Sequence, residues 1–128
     1  MFEKKPKSLT DLLGKTNRIV EETIMRGDIV SQADFRLDGS LVGNFSSNGK
    51  LVIGPAGSVI GEIICQNADI EGKFEGKMKV DDTLNIKASA IIIGDVTVGK
   101  LSVEPGAVFS ATCIMKPNST QGITNDNQ

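Results

Sequence analysis

The 128-residue chain has no histidine, tryptophan or tyrosine, and only five phenylalanines, two cysteines and four prolines. Each scarcity removes a class of function. Without histidine, the commonest general base and metal ligand is gone. With phenylalanine as the sole aromatic, platforms for stacking nucleic-acid bases are scarce. Charge is balanced, 14 basic residues against 16 acidic, so no one-signed field gathers nucleic acid. No apolar run approaches the roughly 20 residues of a membrane-spanning helix, and the sequence carries no signal-peptide pattern. The expectation is one cytoplasmic domain with no metal, no cofactor and no nucleic-acid partner.

What the chain does have is repetition. Residues 37–63 align on 70–96 without a gap: Leu37 falls on Ile70, Leu41 on Phe74, Phe45 on Met78, Leu51 on Leu84, Val59 on Ile92 and Ile63 on Val96. The glycines 39, 43 and 61 fall on 72, 76 and 94. A half-step of 17 residues carries the columns on to Leu101, Val103, Phe109 and Cys113, and MRGDI (25–29) aligns with VIGEI (59–63). Apolar residues keep their columns while their neighbours change, which marks a structural repeat.

Within the repeat the period is two. In IEGKFEGKMKV (70–80), Ile70, Phe74, Met78 and Val80 share one face while Glu71, Lys73, Glu75, Lys77 and Lys79 share the other. That alternation predicts strands buried on one side. Glycine, Asn48-Gly49 and the Pro-x-Gly stretches predict breaks, leaving strands of about three to five residues. Three such strands in about 17 residues make one coil of a β-solenoid, and five to six coils give a rod roughly 25–30 Å long. The reading is an all-β, single-domain solenoid over 21–115. A flexible N-terminal segment (1–20) and a polar C-terminal tail (116–128) flank it. A β-sandwich would also use many short strands, but it needs no gap-free repeat.

Enzyme readings fare poorly. Hexapeptide-repeat acyltransferases generally rely on a histidine base, and this repeat is nearer 16–17 residues than a strict 18. GDVTVGKL (94–101) has P-loop spacing at Gly94, Gly99 and Lys100, but Leu101 stands where Ser or Thr is required and no helix is expected after it. Cys65 and Cys113 fall in apolar columns about three coils apart, too far for a disulfide within one chain. Carboxylates on the strands alternate with lysines on an outer face, where pairing with neighbours is their ordinary role. The chain reads as a non-enzyme.

A solenoid exposes an unpaired strand edge at each end, which monomeric solenoids usually cap. Here the last coil, LSVEPGAVFSATCIM (101–115), is apolar to its finish. Phe109 either plugs its own core or plugs it and also docks on a second subunit. The second reading makes Leu101, Val103, Val108, Phe109, Ile114 and Met115 a polymerisation surface. The rival is a non-polymerising binding module that presents its charged faces.

The string IMRGDI, FRLDGSLVGNF, LVIGPAGSVIGEI, IEGKFEGKM, IIIGDV and LSVEPGAVF, within residues 13–115, resembles the bactofilins, bacterial cytoskeletal polymers. The resemblance implies a right-handed parallel β-helix that polymerises end to end into nonpolar filaments without nucleotide. It also implies that Phe109, the aromatic residue of the terminal coil, is the polymerisation contact. Members of the family commonly attach to the membrane through a short N-terminal segment. MFEKKPK matches that pattern with Met1 and Phe2 followed by Lys4, Lys5 and Lys7, although Glu3 detracts; the plain alternative is a solubilising arm. The implied role is a membrane-associated scaffold on the inner face of the cytoplasmic membrane, placing cell-envelope enzymes.

Overall fold

The computed structural model describes residues 16–116. Ten strands form one sheet: β1 (Thr16–Ile19), β2 (Ile24–Ser31), β3 (Asp34–Leu37), β4 (Ser40–Ser47), β5 (Lys50–Ile53), β6 (Ser58–Cys65), β7 (Asn67–Ile70), β8 (Lys73–Ile86), β9 (Ile91–Val103) and β10 (Val108–Met115). Every pairing is parallel, and each strand pairs with those one coil before and after it. The chain is a parallel β-solenoid of six coils. Each coil combines a four-residue stretch (Thr16–Ile19, Asp34–Leu37 and so on) with an eight-residue stretch. In β8 and β9 the two kinds run together as single strands.

The eight-residue strands correct the expectation of three- to five-residue pieces broken at glycine. Glycine folds the strand without interrupting the ladder. A four-residue side spans roughly 13 Å and an eight-residue side roughly 26 Å, so the coil closes only if the long side folds at its middle. That middle is a glycine in each of the first five coils: Gly27, Gly43, Gly61, Gly76 and Gly94 stand in one register, with φ between +126° and +148°. A Cβ on any of the last four would run into the carbonyl oxygen of the glycine one coil earlier. Backbone stacks directly on backbone there, and only glycine leaves room. The fold therefore has three outer faces: the arm before the glycine, the arm after it, and the short strand.

Inward columns build the core. Leu41, Val59, Phe74 and Ile92 stack in one, Phe45, Ile63, Met78 and Val96 in another, and Leu37, Ile53, Ile70 and Ile86 in a third. From the second coil to the fifth these are 0–2% exposed. Phe35 and Phe45 add an edge-to-face pair at 5.1 Å near the N-terminal end. Polar residues staple the short-strand face: Asp69 accepts from Asn85 Nδ2 at 2.8 Å and pairs with Lys50 Nζ at 2.9 Å, linking three successive coils.

The first coil starts at Thr16, ahead of the boundary at 21 expected from the apolar pattern. Thr16–Ile19 pairs residue for residue with Asp34–Leu37. Its alternation is hidden because polar Asn17 occupies the inward column of Phe35 and Leu51. GDVTVGKL lies wholly inside β9, so it forms strand and corner.

Candidate assembly interface

The chemistry of a stack is set at its ends. Strand β10 pairs only with β9, through Val108↔Ile91 to Met115↔Val98, and its other edge has no partner among the described residues. The edge continues through Lys100–Val103, which pairs only with Thr83–Ile86. In a parallel strand every second residue directs its N–H and C=O to the same side, so this twelve-residue rim is a template for a further parallel strand.

Inside the rim stand five side chains that continue the core columns: Leu101, Val103, Phe109, Cys113 and Met115. One coil earlier the same columns hold Leu84, Ile86, Ile92, Val96 and Val98, which are 0–1% exposed. At the end, Val103 is 43% and Met115 50% exposed, while Leu101, Phe109 and Cys113 are half-buried against the core. Of the six residues singled out from sequence, Leu101, Val103, Phe109 and Met115 gather on this end. Val108 and Ile114 lie in outward columns at the rim, 48% and 57% exposed, each on a different face.

Two residues were missed. Cys113 completes the end face, with its thiol 3.9 Å from the Met115 sulfur; its column membership was the available signal. Ala111 takes the place of the corner glycine, in register with Gly94. Among the described residues only Glu22 is a non-glycine at positive φ, so Ala111 turns the corner with ordinary backbone. The glycine ladder stops at the last coil.

The chain leaves this end at a corner. Lys116 N–H donates to the Val98 carbonyl at 2.8 Å, and Lys116 Nζ pairs with Asp81 at 2.7 Å. That hydrogen bond, followed by the charge of Lys116, holds the Asp81 carboxyl below its usual range. Through Lys116, then, the described chain does not cross the apolar end.

The opposite end differs. Its inward columns carry Asn17, Ile19, Met25, Ile29 and Ser31. Asn17 Nδ2 donates to Ser31 Oγ at 3.0 Å, closing part of that end with a polar pair.

Little else resembles a reaction centre. No group of three or more metal-ligating side chains is gathered among the described residues. A cleft near the first turn is lined by Arg18, Arg36, Asp38, Glu21 and Glu22, but both arginines turn onto the buried Asp38, at 3.4 and 2.9 Å. Both cysteines are free. Burial, with the nearby charge of Asp81 adding to it, pushes the Cys65 thiol up to about 12. Burial also raises Cys113. Neither thiol is tuned as a nucleophile. Met1, Phe2, Lys4, Lys5 and Lys7 lie outside the described residues, as does the tail from 117 onward.

Fold and end geometry together define the class: a parallel β-solenoid whose described residues leave its two ends unequal and the C-terminal edge unpaired. A family model for bactofilins, described as polymer-forming cytoskeletal, matches residues 17–114. The chain belongs to the bactofilin family. It is 25% identical over 92 residues to bactofilin BacO of Myxococcus xanthus (strain DK1622), covering 72% of this chain and 73% of that protein. No solved structure matches. Membership makes this a polymer-forming cytoskeletal protein, in a structural rather than an enzymatic family.

Proposed function

We propose that the chain polymerises end to end, without nucleotide, through its C-terminal coil. The filaments then serve as a scaffold on the inner face of the cytoplasmic membrane. One observation carries the reading: the core columns run to the C-terminal end and stop there half-exposed on Leu101, Val103, Phe109, Cys113 and Met115. Fully burying such a side chain contributes about 1.5–3 kcal/mol. Half-exposed residues therefore offer on the order of 5 kcal/mol together, near the lower bound of what association costs. Apolar contact alone is marginal. The unpaired rim supplies the rest: every second one of its residues turns both N–H and C=O outward, so about twelve backbone hydrogen bonds at about 1 kcal/mol net each extend the existing ladder.

Nothing in such a contact calls for nucleotide hydrolysis, since the surfaces are already present in the single chain. Membrane attachment would run through Met1 and Phe2 with Lys4, Lys5 and Lys7. One copy binds weakly, and a filament presenting many copies binds by avidity. Cell-envelope enzymes are the proposed cargo.

The test is negative-stain electron microscopy of the purified chain beside Phe109→Arg, with circular dichroism to establish that the variant stays folded. Filaments from the wild type without added nucleotide, and small particles from the folded variant, are expected. Soluble monomers from the wild type across salt and concentration would sink the reading.

A further inference from the structure

The corner between the short strand and the arm before the glycine is stepped. Four residues make this turn in the first, third and fifth coils (20–23, 54–57 and 87–90), but only two make it in the second and fourth (38–39 and 71–72). A short turn between two long ones leaves a notch, and both short turns are anchored alike. Asp38 N–H donates to the Ile19 carbonyl and Glu71 N–H to the Ile53 carbonyl, each at 2.8 Å. What lines the two notches differs. The short-strand column beside this corner runs Arg18–Arg36–Val52–Asp69–Asn85. Two arginines therefore stand at the first notch where valine and aspartate stand at the second. Since the second corner closes without arginine, turn-making does not account for the pair at the first.

The first notch is a cleft of about 610 Å³, a size that holds small molecules. Asp38 lies at its floor with its side chain 9% exposed. Gly54 makes room for it, because a Cβ there would strike Asp38 Oδ1 and crowd an Arg36 nitrogen. Arg36 Nε donates to Asp38 Oδ2 at 2.9 Å, and Arg18 stands 3.4 Å from the same oxygen. Each guanidinium carries five N–H donors, so most of them are left for another acceptor. One carboxylate against two guanidinium groups also leaves one positive charge in excess. The wall is of opposite sign. Glu21 and Glu22 line it, and neither makes a salt bridge with another described residue. Glu22 holds φ 68°, a backbone that glycine adopts with less strain, and strain of this kind gathers at ligand sites. Pro55 and Ala56 give the cleft an apolar side.

We propose that this cleft binds a zwitterionic phosphate ester of the phosphoethanolamine type. The phosphate accepts from the free donors of Arg18 and Arg36, and the ammonium pairs with Glu21 and Glu22. The short carbon link rests on Pro55 and Ala56. A carboxylate is matched by a single arginine fork, whereas a phosphate diester serves two guanidinium groups one coil, about 4.8 Å, apart and brings one negative charge. A phosphate without the ammonium would face both glutamates uncompensated, and a cation alone would face the arginines. Asp38 is the positioning residue, holding both guanidinium groups in place before the ligand arrives. The cleft belongs to the first three coils, away from the C-terminal rim, so the assignment does not depend on the polymer reading.

Isothermal titration calorimetry of the full chain tests this. The probe is glycerophosphoethanolamine, and the comparison is glycerophosphoglycerol, a diester of the same phosphate charge without the ammonium. The variants are Arg18→Gln, which leaves Arg36 on Asp38, and Glu21→Gln/Glu22→Gln, with circular dichroism to establish that both stay folded. Wild type should bind the zwitterion about tenfold more tightly than the comparison, and Arg18→Gln should weaken both about tenfold. The double glutamine variant should weaken the zwitterion and tighten the comparison, opposite shifts that general damage to the cleft would not give. No saturable binding by wild type, equal binding of the two probes, or wild-type affinities in both variants would overturn the proposal. Flotation with vesicles of phosphatidylethanolamine and phosphatidylcholine separates the sources of the ester. Less flotation of Arg18→Gln than of wild type places the ligand on a bilayer, and equal flotation places it in solution.

Discussion

The first coil and the last complete the same stack in different ways. In the first, two of five inward positions are polar, and Asn17 and Ser31 satisfy each other across the end; the Phe35–Phe45 pair sits one coil deeper. In the last, all five inward positions are aliphatic, aromatic or sulfur-bearing, and the sole aromatic is in the terminal layer itself. Covering a polar pair removes it from water and returns little, whereas covering Phe109 and Met115 returns apolar burial. The corner adds to the contrast, because Gly27 repeats the interior geometry while Ala111 abandons it. A solenoid can therefore give its two ends different adhesion by changing a few inward residues.

The sharpest way to break the comparison is at the corner. Gly61→Ala combines a φ of +142° with a collision against the Gly43 carbonyl, whereas Gly27→Ala, at φ +128°, meets nothing within 4 Å. Backbone strain costs about 1–3 kcal/mol, and forced overpacking adds about as much again. Urea unfolding of the two variants should show Gly61→Ala losing about twice as much stability as Gly27→Ala.

Next comes the column shared by Phe74 and Phe109. Phe74 is fully buried, so Phe74→Ala should destabilise by about 3–5 kcal/mol, and Phe109→Ala in the unassembled chain by about half of that. The ranking inverts for assembly. Light scattering should show Phe109→Ala raising the concentration needed for polymer, with folded Phe74→Ala unchanged.

Thiol labelling reads the same contrast more gently. With Cys65 buried at 1% exposure and its thiol raised to about 12, iodoacetamide should modify it roughly 100-fold more slowly than Cys113. Cys113 labelling should slow several-fold on polymerisation if the C-terminal end is the contact.

The smallest effect sits in the first turn. Glu22 holds φ 68°, which costs a side-chain-bearing residue about 1–2 kcal/mol. Part of that returns as the entropy glycine loses on folding, so Glu22→Gly should raise stability by about 0.5–1 kcal/mol without affecting assembly.

Much of this was legible because a solenoid writes its contacts at constant spacing. Leu41 could be placed with Phe74, and Val59 with Ile92 and Phe109, from the repeat alone; that both sets share one column shows only in the ladder, where the spacing from coil to coil is uneven. Strand length was misjudged because glycine reads as a breaker, while here it bends a strand that continues on both sides. The first coil was hidden by Asn17, a polar residue at an inward position, which erases the alternation that would reveal a strand. The different ends were legible only at the apolar one: Phe109 announces itself, whereas the Asn17–Ser31 bond joins residues 14 apart and needs the fold to bring them together. Val108 and Ile114 show the converse limit. Apolar character marked them, but period two decides which way a side chain points, and theirs point sideways.

The register through which every coil meets only its neighbours has a consequence for how the chain is made. A ribosome delivers residues in order, and each 16–18 new ones complete a layer that needs nothing but the layer before it. At every intermediate length, the newest layer presents an apolar, unpaired edge like the one now carried by Val108–Met115. The nascent chain thus grows as a filament does, by adding a layer to an open end. In the end-to-end polymer proposed above, the next layer would come from another molecule.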